Sequence, residues 1–287
     1  MKKPTTTAMT AGVKQRFDLS GKVAVITGGA GLLGMQHAEA VAEAGGRLAL
    51  VDLQEEQVSR AARQVAEKFG SQVIGIRTDI TVKPDVEAMV KTVMKRFGRI
   101  DILINNAALT VKGGSAKASE YFAPFETYPL EWWQKALDVN LTGMFLCTPA
   151  VGQVMVRQKK GVVVNIASDL GNVSPDHRIY EGVVNPHTQQ PFNTPIAYAT
   201  TKAAVLNFTR YLATYWAGKG IRVNCLSPGG VFDSHEPKFV ENFSSRVPLG
   251  RMAHVDEYRG AILFLVSEAS SYMTGANLIV DGGRTAW

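Results

Sequence analysis

The strongest indication of the fold is the stretch Val23-Ala24-Val25-Ile26-Thr27-Gly28-Gly29-Ala30-Gly31-Leu32-Leu33-Gly34. In it an apolar run leads directly into a glycine-rich turn. An apolar run of this length predicts a strand that is buried on both faces. The glycines at 28, 31 and 34 predict a tight turn, and we expect a helix to begin near Leu33. Strand, turn and helix in this order predict the first unit of a sheet covered by helices.

Short β-branched runs alternate with longer helical patterns along the rest of the chain. This alternation predicts an α/β protein with a Rossmann-type, doubly wound parallel sheet of about seven strands and helices on both faces. No change of composition divides the chain, so we expect one domain from residue 17 to residue 287. The expected strands are residues 23–27, 48–51, 73–77, 102–105, 162–167, 222–226 and 277–280.

Composition and charge argue against several other classes of protein. The chain has 287 residues, 46% of them hydrophobic, which is enough for one large core. Residues 1–16 carry four positive charges and no acid, so they account for most of the net charge of +6 and are predicted to form a flexible basic tail. The body therefore lacks the charge expected of a nucleic-acid partner.

The cysteines and the apolar runs bear on the cellular compartment. Cys147 and Cys225 stand among apolar residues, which predicts buried, reduced thiols and neither a disulfide framework nor a metal site. No uninterrupted apolar run reaches the roughly 20 residues that span a bilayer. We expect a cytoplasmic protein without membrane contact.

The glycine turn is a candidate site for the pyrophosphate of a dinucleotide. Glycines allow the backbone to approach phosphates, and the N-terminus of the following helix offers free N–H groups, although a turn without any ligand has the same local pattern. Asp52 ends the second strand eighteen residues after Gly34. A carboxylate there can accept hydrogen bonds from ribose hydroxyls and repels a 2′-phosphate, so NAD is favoured over NADP; the alternative is a solvated strand end.

Tyr198 and Lys202 are the candidate catalytic pair. Their i, i+4 spacing at the start of a helical stretch places the phenol and the ammonium on one face. A phenol with its ordinary pKa of about 10 is a poor base at neutral pH, and a nearby cation can lower that pKa. Tyr198 would then exchange a proton with an alcohol or ketone oxygen while a hydride moves to or from the nicotinamide.

Several motifs, taken in order, resemble those of the short-chain dehydrogenase/reductase family, in its shorter single-domain form. The similarity covers residues 17–287, and the motifs that carry it are Asp18-Leu19-Ser20-Gly21-Lys22-Val23, the glycine turn, Asp79-Ile80, Asn105-Asn106-Ala107-Ala108, Asn140, Ser168, Tyr198 with Lys202, and Ser227-Pro228-Gly229-Gly230. The resemblance implies an NAD(P)-dependent oxidoreductase that acts on CH–OH groups, and commonly a homotetramer.

The resemblance also implies roles for individual residues. Ser168 would hydrogen-bond the reacting oxygen, and Asn140 would hold a water in a proton relay linked to Lys202. Asp79 and Ile80 would contact adenine, and the backbone of Val231 would face the carboxamide. The implied cofactor-binding set is Gly28, Gly31, Leu33, Gly34, Asp52, Leu53, Asp79, Ile80, Asn106, Ala107, Tyr198, Lys202, Pro228, Gly229 and Val231.

Two alternatives stay open on the sequence. Gly31 and Leu32 shift one glycine of the turn, which is closer to the extended relatives that act as nucleotide-sugar epimerases or dehydratases. Those enzymes need a sizeable C-terminal substrate domain, for which the chain is short. The second alternative is a non-catalytic NAD-binding sensor, since a fold alone does not prove turnover.

Three long connections are predicted to form the substrate site, residues 111–129, 169–195 and 231–250. Ser168 and Tyr198 are thirty positions apart, more than the family spacing of about a dozen, and connections of this length are often functional. We expect the added segment to form a polar wall over a hydroxyl-rich substrate such as a sugar or sugar acid, with His177 or Arg178 for an anionic group. Surface decoration or an oligomer contact is the alternative.

Overall fold

A computed structural model describes residues 12–111, 117–185 and 189–287. Within that part of the chain seven strands alternate with helices, as predicted. The strands are β1 (Val23–Thr27), β2 (Arg47–Asp52), β3 (Val73–Arg77), β4 (Ile102–Asn105), β5 (Gly161–Ile166), β6 (Ile221–Pro228) and β7 (Asn277–Val280). The helices are α1 (Val13–Arg16), α2 (Leu32–Glu43), α3 (Glu55–Phe69), α4 (Lys83–Phe97), α5 (Ala118–Tyr121), α6 (Leu130–Leu137), α7 (Met144–Gln158), α8 (Ile196–Tyr215), α9 (Pro237–Ser244) and α10 (Arg259–Val266).

All seven strands run parallel in one sheet with the order β3-β2-β1-β4-β5-β6-β7. The chain builds outward from β1 to β3 and then returns to place β4 on the other side of β1. The strand order therefore reverses between β1 and β4, and ligands of open α/β sheets bind beyond the carboxyl ends of the strands at such a point. The predicted doubly wound, single-domain Rossmann-type fold is confirmed.

The core lies on both faces of the sheet because successive side chains of each strand point to opposite sides. In β1, Ala24 and Ile26 pack toward α2, α3 and α10, whereas Val23 and Val25 pack toward α4, α7 and α8. All five residues of β1 are buried. Burial on both faces explains why these strands are apolar almost throughout.

The element bounds differ from the predictions in a few places. Strands β2 and β5 begin one residue earlier than expected, β6 extends to Pro228, and α2 begins at Leu32. The predicted tail of residues 1–16 contains the short helix α1 at its end. Residues 1–11, and parts of two predicted substrate loops (112–116 and 186–188), lie outside the described residues.

One helical run, Leu130–Gln158, is long and apolar enough by composition to cross a membrane. It consists of α6, a π-helical turn over residues 138–143, and α7. Half of its most apolar window is buried inside the protein, where α7 contacts β4, β5 and α4. Its apolar character therefore belongs to a helix that packs on the sheet.

Candidate active site

The glycine turn joins β1 to α2 at the point where the strand order reverses. Gly28 has a positive φ of 62°, and a Cβ atom there would lie 2.8 Å from Ala107 Cα. A Cβ atom on Gly34 would overlap the Gly28 carbonyl oxygen, so both positions need glycine. Gly31 caps α2 without a side chain, and the first turn of α2 has no acidic residue. These backbone N–H groups match the donors that a pyrophosphate needs.

Asp52, at the end of β2, contacts the glycine turn directly. Its Oδ2 accepts a hydrogen bond from Ala30 N at 3.1 Å, and its Oδ1 accepts one from Leu53 N at 2.8 Å. The side chain of Leu53 is 51% exposed beside it. The predicted phosphate-binding and ribose-binding groups therefore lie together at one edge of the sheet.

Asn106 ties the end of β4 to the same turn. Its Nδ2 donates to Thr27 O at 3.0 Å and to Gly28 O at 3.1 Å. The backbone N–H groups of Asn106 and Ala107 both donate to Thr27 Oγ1 at 3.1 Å. The Asn106 side chain thus holds the shape of the glycine turn.

Asp79 and Ile80 follow β3. The Asp79 Oδ1 accepts hydrogen bonds from the Thr81 N–H and hydroxyl groups. Ile80 is 9% exposed, and its Cδ1 would lie 2.6 Å from a Cβ atom on Gly143 in the π-helical turn. The Ile80 side chain is therefore packed mainly within the protein, which limits the surface it can offer to an adenine ring.

The segment after β6 is held by backbone hydrogen bonds at the carboxyl end of the sheet. Gly229 N donates to Val280 O at 2.9 Å, which anchors the end of the strand to β7. Ala253 N donates to Gly230 O, and Phe232 N donates to Ala253 O, so Val231 is bracketed by these two bonds. In a parallel bridge of this kind, the N–H and C=O of Val231 itself point away from Ala253.

Tyr198 and Lys202 lie in the first two turns of α8, next to the carboxyl end of β5. The Lys202 Nζ lies 5.7 Å from the centre of the Tyr198 ring and donates a hydrogen bond to Ile166 O at 2.7 Å. Ser168 comes two residues after β5, and its hydroxyl lies within reach of the Tyr198 hydroxyl. The fold therefore brings Ser168, Tyr198 and Lys202 together across the thirty-residue separation.

Burial governs the acid–base state of this group in the protein alone. It raises the pKa of Tyr198 to about 12, with a smaller contribution from the Asp169 charge, and it lowers the pKa of Lys202 to about 8. We expected the Lys202 cation to lower the pKa of Tyr198. In the chain by itself desolvation outweighs any such effect, because removing a phenolate from water costs more than the nearby groups return.

Asn140 is buried in the π-helical turn between α6 and α7. Its Oδ1 accepts a hydrogen bond from Leu109 N at 2.7 Å, and its Nδ2 donates to Thr201 Oγ1 at 2.9 Å. Thr201 directly precedes Lys202 in α8. The Asn140 side chain therefore links the segment after β4 to the catalytic helix, and π-helical turns of this kind are frequent at functional sites.

His177 and Arg178 lie in a single 3₁₀ turn, His177–Tyr180, and both are exposed. The Arg178 guanidinium donates two hydrogen bonds of 2.8 Å to Asp176, which also accepts one from Arg246. These pairs hold the pKa of Asp176 well below its usual range. The predicted anion-binding arginine is thus already paired with a carboxylate of the same loop.

The wall beside Tyr198 is aromatic, whereas the sequence had suggested a polar one. Tyr121 and Tyr180 both lie near Tyr198. Rings from all three predicted substrate loops form a continuous series with neighbouring centroids 5.0 to 6.0 Å apart: Tyr121, Phe122, Phe192, Tyr180, Phe239 and Phe243. We name this series the aromatic wall.

Two residues of this region were not predicted from the sequence: Asp169 and Arg284. They form a buried ion pair although they are 115 positions apart. The one local signal was a charged residue directly after Ser168, at the end of a largely apolar strand. Tyr121, at the end of α5, and Tyr180, in the 3₁₀ turn, belong to the predicted substrate loops.

Known proteins match this chain over most of its length. The family model described as short chain dehydrogenase matches residues 22–180, and the model described as enoyl-(acyl carrier protein) reductase matches residues 186–285. The chain is 35% identical to D-threitol dehydrogenase of Mycolicibacterium smegmatis over 94% of this chain and 95% of that protein. It is 32% identical to NAD-dependent glycerol dehydrogenase of Listeria innocua over 96% and 98%.

A solved structure shows the same fold. Gluconate 5-dehydrogenase of Burkholderia cenocepacia, crystallised with NADP and tartrate, is 30% identical and superposes with a TM-score of 0.82 over 96% of this chain and all of that one. The chain therefore belongs to the short-chain dehydrogenase/reductase family, and it is an oxidoreductase that acts on alcohols and ketones. The three proteins compared here are all named as dehydrogenases, which favours a dehydrogenase over the nucleotide-sugar alternative.

Proposed function

We propose that this protein is an NAD-dependent dehydrogenase that interconverts a secondary alcohol and a ketone on a hydroxyl-rich substrate such as a polyol or sugar acid. The juxtaposition of Ser168, Tyr198 and Lys202 beyond β5 carries the proposal. The wider support is that relatives named for threitol, glycerol and gluconate match nearly the full chain. Asn140 completes the set of proposed catalytic residues.

The residues present suit a nicotinamide dinucleotide. The N–H groups at the start of α2 would hold the pyrophosphate, Asp52 would hold the adenosine ribose, and the backbone of Val231 would face the carboxamide. When bound, the cofactor would accept or supply the hydride. Asp52 lies beside the glycine turn, where its carboxylate would accept hydrogen bonds from ribose hydroxyls and repel a 2′-phosphate, which supports NAD.

The proton chemistry is assigned to Tyr198. With a pKa raised to about 12 in the protein alone, the phenol is protonated at neutral pH and can donate to a forming alkoxide. In the reverse direction the Tyr198 phenolate would accept the alcohol proton. The Lys202 ammonium and the positively charged nicotinamide ring of bound NAD would stabilise that phenolate. Ser168 would hydrogen-bond the same substrate oxygen.

Tyr180, which is partly exposed, is the proposed contact for the rest of the substrate. Its ring can pack on the C–H face of a polyol while its hydroxyl group forms a hydrogen bond. Tyr121 is 4% exposed, and its hydroxyl donates to Leu109 O at 3.2 Å, so it lies behind this contact. The Asp176 ion pair makes Arg178 less available for this task than the sequence suggested, and His177 stays a prediction.

The test is an assay with NAD and with NADP on glycerol, tetritols, pentitols and aldonic acids. Tyr198→Phe is expected to lower kcat/KM about 10²- to 10⁴-fold and to keep NADH binding by fluorescence. The matched control is Tyr215→Phe, at the exposed end of the same helix. Full activity of Tyr198→Phe would refute the catalytic assignment, and a preference for NADP would refute the role of Asp52.

We further propose that the protein acts in the cytoplasm as a homo-oligomer, a tetramer by family resemblance. Phe145 on α7 and Tyr211 and Tyr215 on α8 are each more than half exposed, on helices that cover the same face of the sheet. Exposed aromatic side chains grouped in this way are typical of protein interfaces.

A further inference from the structure

A buried ion pair lies directly behind the serine of the site. Asp169, the residue after Ser168, is 3% exposed, and Arg284, which follows β7, is 8% exposed. The Arg284 Nη1 contacts the Asp169 Oδ2. Ion pairs this deeply buried seldom add net stability, because the desolvation of both charges offsets their attraction. The place of the pair, in contact with a catalytic residue, suggests a role in the reaction.

Asp169 determines the direction of the Ser168 hydroxyl proton. The Ser168 Oγ donates to Asp169 Oδ1 at 2.7 Å, and Leu170 N donates to the same Oδ1 at 2.8 Å. An ionised carboxylate can only accept, and a hydroxyl has one proton, so that proton is committed to Asp169. That hydroxyl must leave Asp169 before it can donate to a ketone or alkoxide oxygen, so Asp169 competes with the substrate for the Ser168 proton.

The charge of Asp169 would by itself oppose the chemistry of Tyr198. A carboxylate near a phenol disfavours the phenolate, and the Asp169 charge raises the pKa of both Tyr198 and Tyr258. The other groups that face Tyr198 are Ser168, Tyr180 and Tyr121 from the loops and Lys202 from its own helix. Besides Lys202, Arg284 brings a positive charge to this part of the site, where it contacts Asp169.

The turn after β7 holds Arg284 in place. Gly282 and Gly283 both have positive φ values, of 67° and 88°, which make a sharp turn possible. The Asp281 carboxylate accepts hydrogen bonds from Gly283 N at 2.9 Å and Thr285 N at 2.7 Å. The Arg284 guanidinium also lies 5.0 Å from the centre of the Phe243 ring, at the end of the aromatic wall.

We propose that Asp169 and Arg284 act as a positioning pair. Asp169 holds the Ser168 hydroxyl before substrate binds, and Arg284 neutralises Asp169 so that its charge neither retains the Ser168 proton against the substrate oxygen nor opposes proton transfer at Tyr198. This inference rests on the proposed oxidoreductase function of the same site. It assigns a catalytic contribution to the turn after β7, which is distant in sequence from every other residue of the site.

The test is the pH dependence of kcat/KM for alcohol oxidation by the holoenzyme. Arg284→Met leaves Asp169 uncompensated, so the rising limb of the profile is expected to move to higher pH by about one unit. The double variant Asp169→Asn with Arg284→Met keeps an acceptor for Ser168 and removes both charges, so its limb is expected to return close to the wild-type position. Arg284→Lys keeps the charge and is expected to leave the limb in place.

The control is Arg99→Met, which breaks the ion pair of Arg99 with Asp101 before β4 and should leave the profile unchanged. A lower melting temperature of Arg284→Met, together with a rising limb at the wild-type pH, would mean that the ion pair serves only stability and would overturn the inference. If Arg284→Met does not fold, the double variant is the test. A pH profile of the double variant whose rising limb lies at higher pH than that of the wild type would also overturn the inference, because this variant carries neither charge. Loss of the proposed function would appear differently, as a wild-type protein without turnover.

Discussion

The imidazole of His37 is completely buried in α2, and neither ring nitrogen has a hydrogen-bond partner among the residues that the structure describes. Burial disfavours the charged ring and lowers the pKa of His37 to about 4. An unfolded chain binds a proton at this side chain near pH 6.5, whereas the folded protein does not until about pH 4. His37 therefore makes stability depend on pH in a defined window.

The expected result is a free energy of unfolding that falls as the pH is lowered from about 6.5 to about 4, by up to about 1.4 kcal/mol per pH unit from this residue. His37→Leu is expected to lose this component, as measured by urea unfolding at several pH values. The matched control is His254→Leu at an exposed position. Equal pH dependence in wild type and His37→Leu would contradict the assignment.

Single residues also show the limit of sequence-based prediction at the site. The i, i+4 spacing marked Tyr198 and Lys202 locally, and the resemblance to the family gave Ser168 its predicted role. The ring contact of Tyr180 with Phe239 joins two different loops, so no local pattern indicates it. Arg178 was predicted to bind an anionic group, and only the structure shows its ion pair with Asp176.

At the scale of elements, the glycine turn and α2 form one unit whose geometry depends on Gly34. This glycine lies in the first turn of the helix against the Gly28 carbonyl, so Gly34→Ala is expected to push the turn away from the helix. We expect weaker NADH binding, by at least about tenfold, and a lower melting temperature, because a Cβ atom cannot be accommodated by backbone on both sides.

The control for this prediction is Gly260→Ala in α10. A Cβ atom at Gly260 meets nothing within 4 Å, and alanine is favoured over glycine in a helix by about 0.5–1 kcal/mol. This variant should bind NADH normally and melt at the same or a higher temperature. Unchanged NADH binding by Gly34→Ala would show that the turn tolerates the displacement and would refute the prediction.

The helix that carries Asn140 is interrupted by a π-helical turn over residues 138–143. Local propensity does not predict this turn, because it depends on Asn140 reaching Leu109 and Thr201, which belong to other elements. Ile80 packing against Gly143 adds a second tertiary contact to the same turn.

At the scale of the whole molecule, the exposed rings of α7 and α8 predict assembly. Tyr211 and Tyr215 stack 5.9 Å apart while each is more than 60% exposed. Replacing both with glutamate is expected to shift the mass measured by light scattering to that of a smaller species, since charges at an interface core are costly. Arg63→Glu on α3, across the sheet, should leave the mass unchanged, and an unchanged mass for the tyrosine variant would contradict the proposed interface.

The amino-acid sequence was enough to predict the sheet and its strands, which the structure confirms. It also predicted a cofactor site at the glycine turn and the proposed chemistry of Tyr198 and Lys202. These predictions used local periodicity, strand ends and short spacings, together with the order of the family motifs. The glycine turn that opens the fold belongs to this group, because the steric need for Gly28 and Gly34 is expressed within twelve residues.

The surroundings of the predicted site residues could be read only from the tertiary structure. The aromatic wall, the Asp169 and Arg284 pair, and the buried environment that raises the pKa of Tyr198 all combine side chains from distant segments. Contacts of this kind depend on how loops pack above a parallel sheet, and no local pattern encodes that packing. Short motifs therefore indicate the proposed reaction of this protein, whereas packing between distant segments determines which side chains surround the reacting groups.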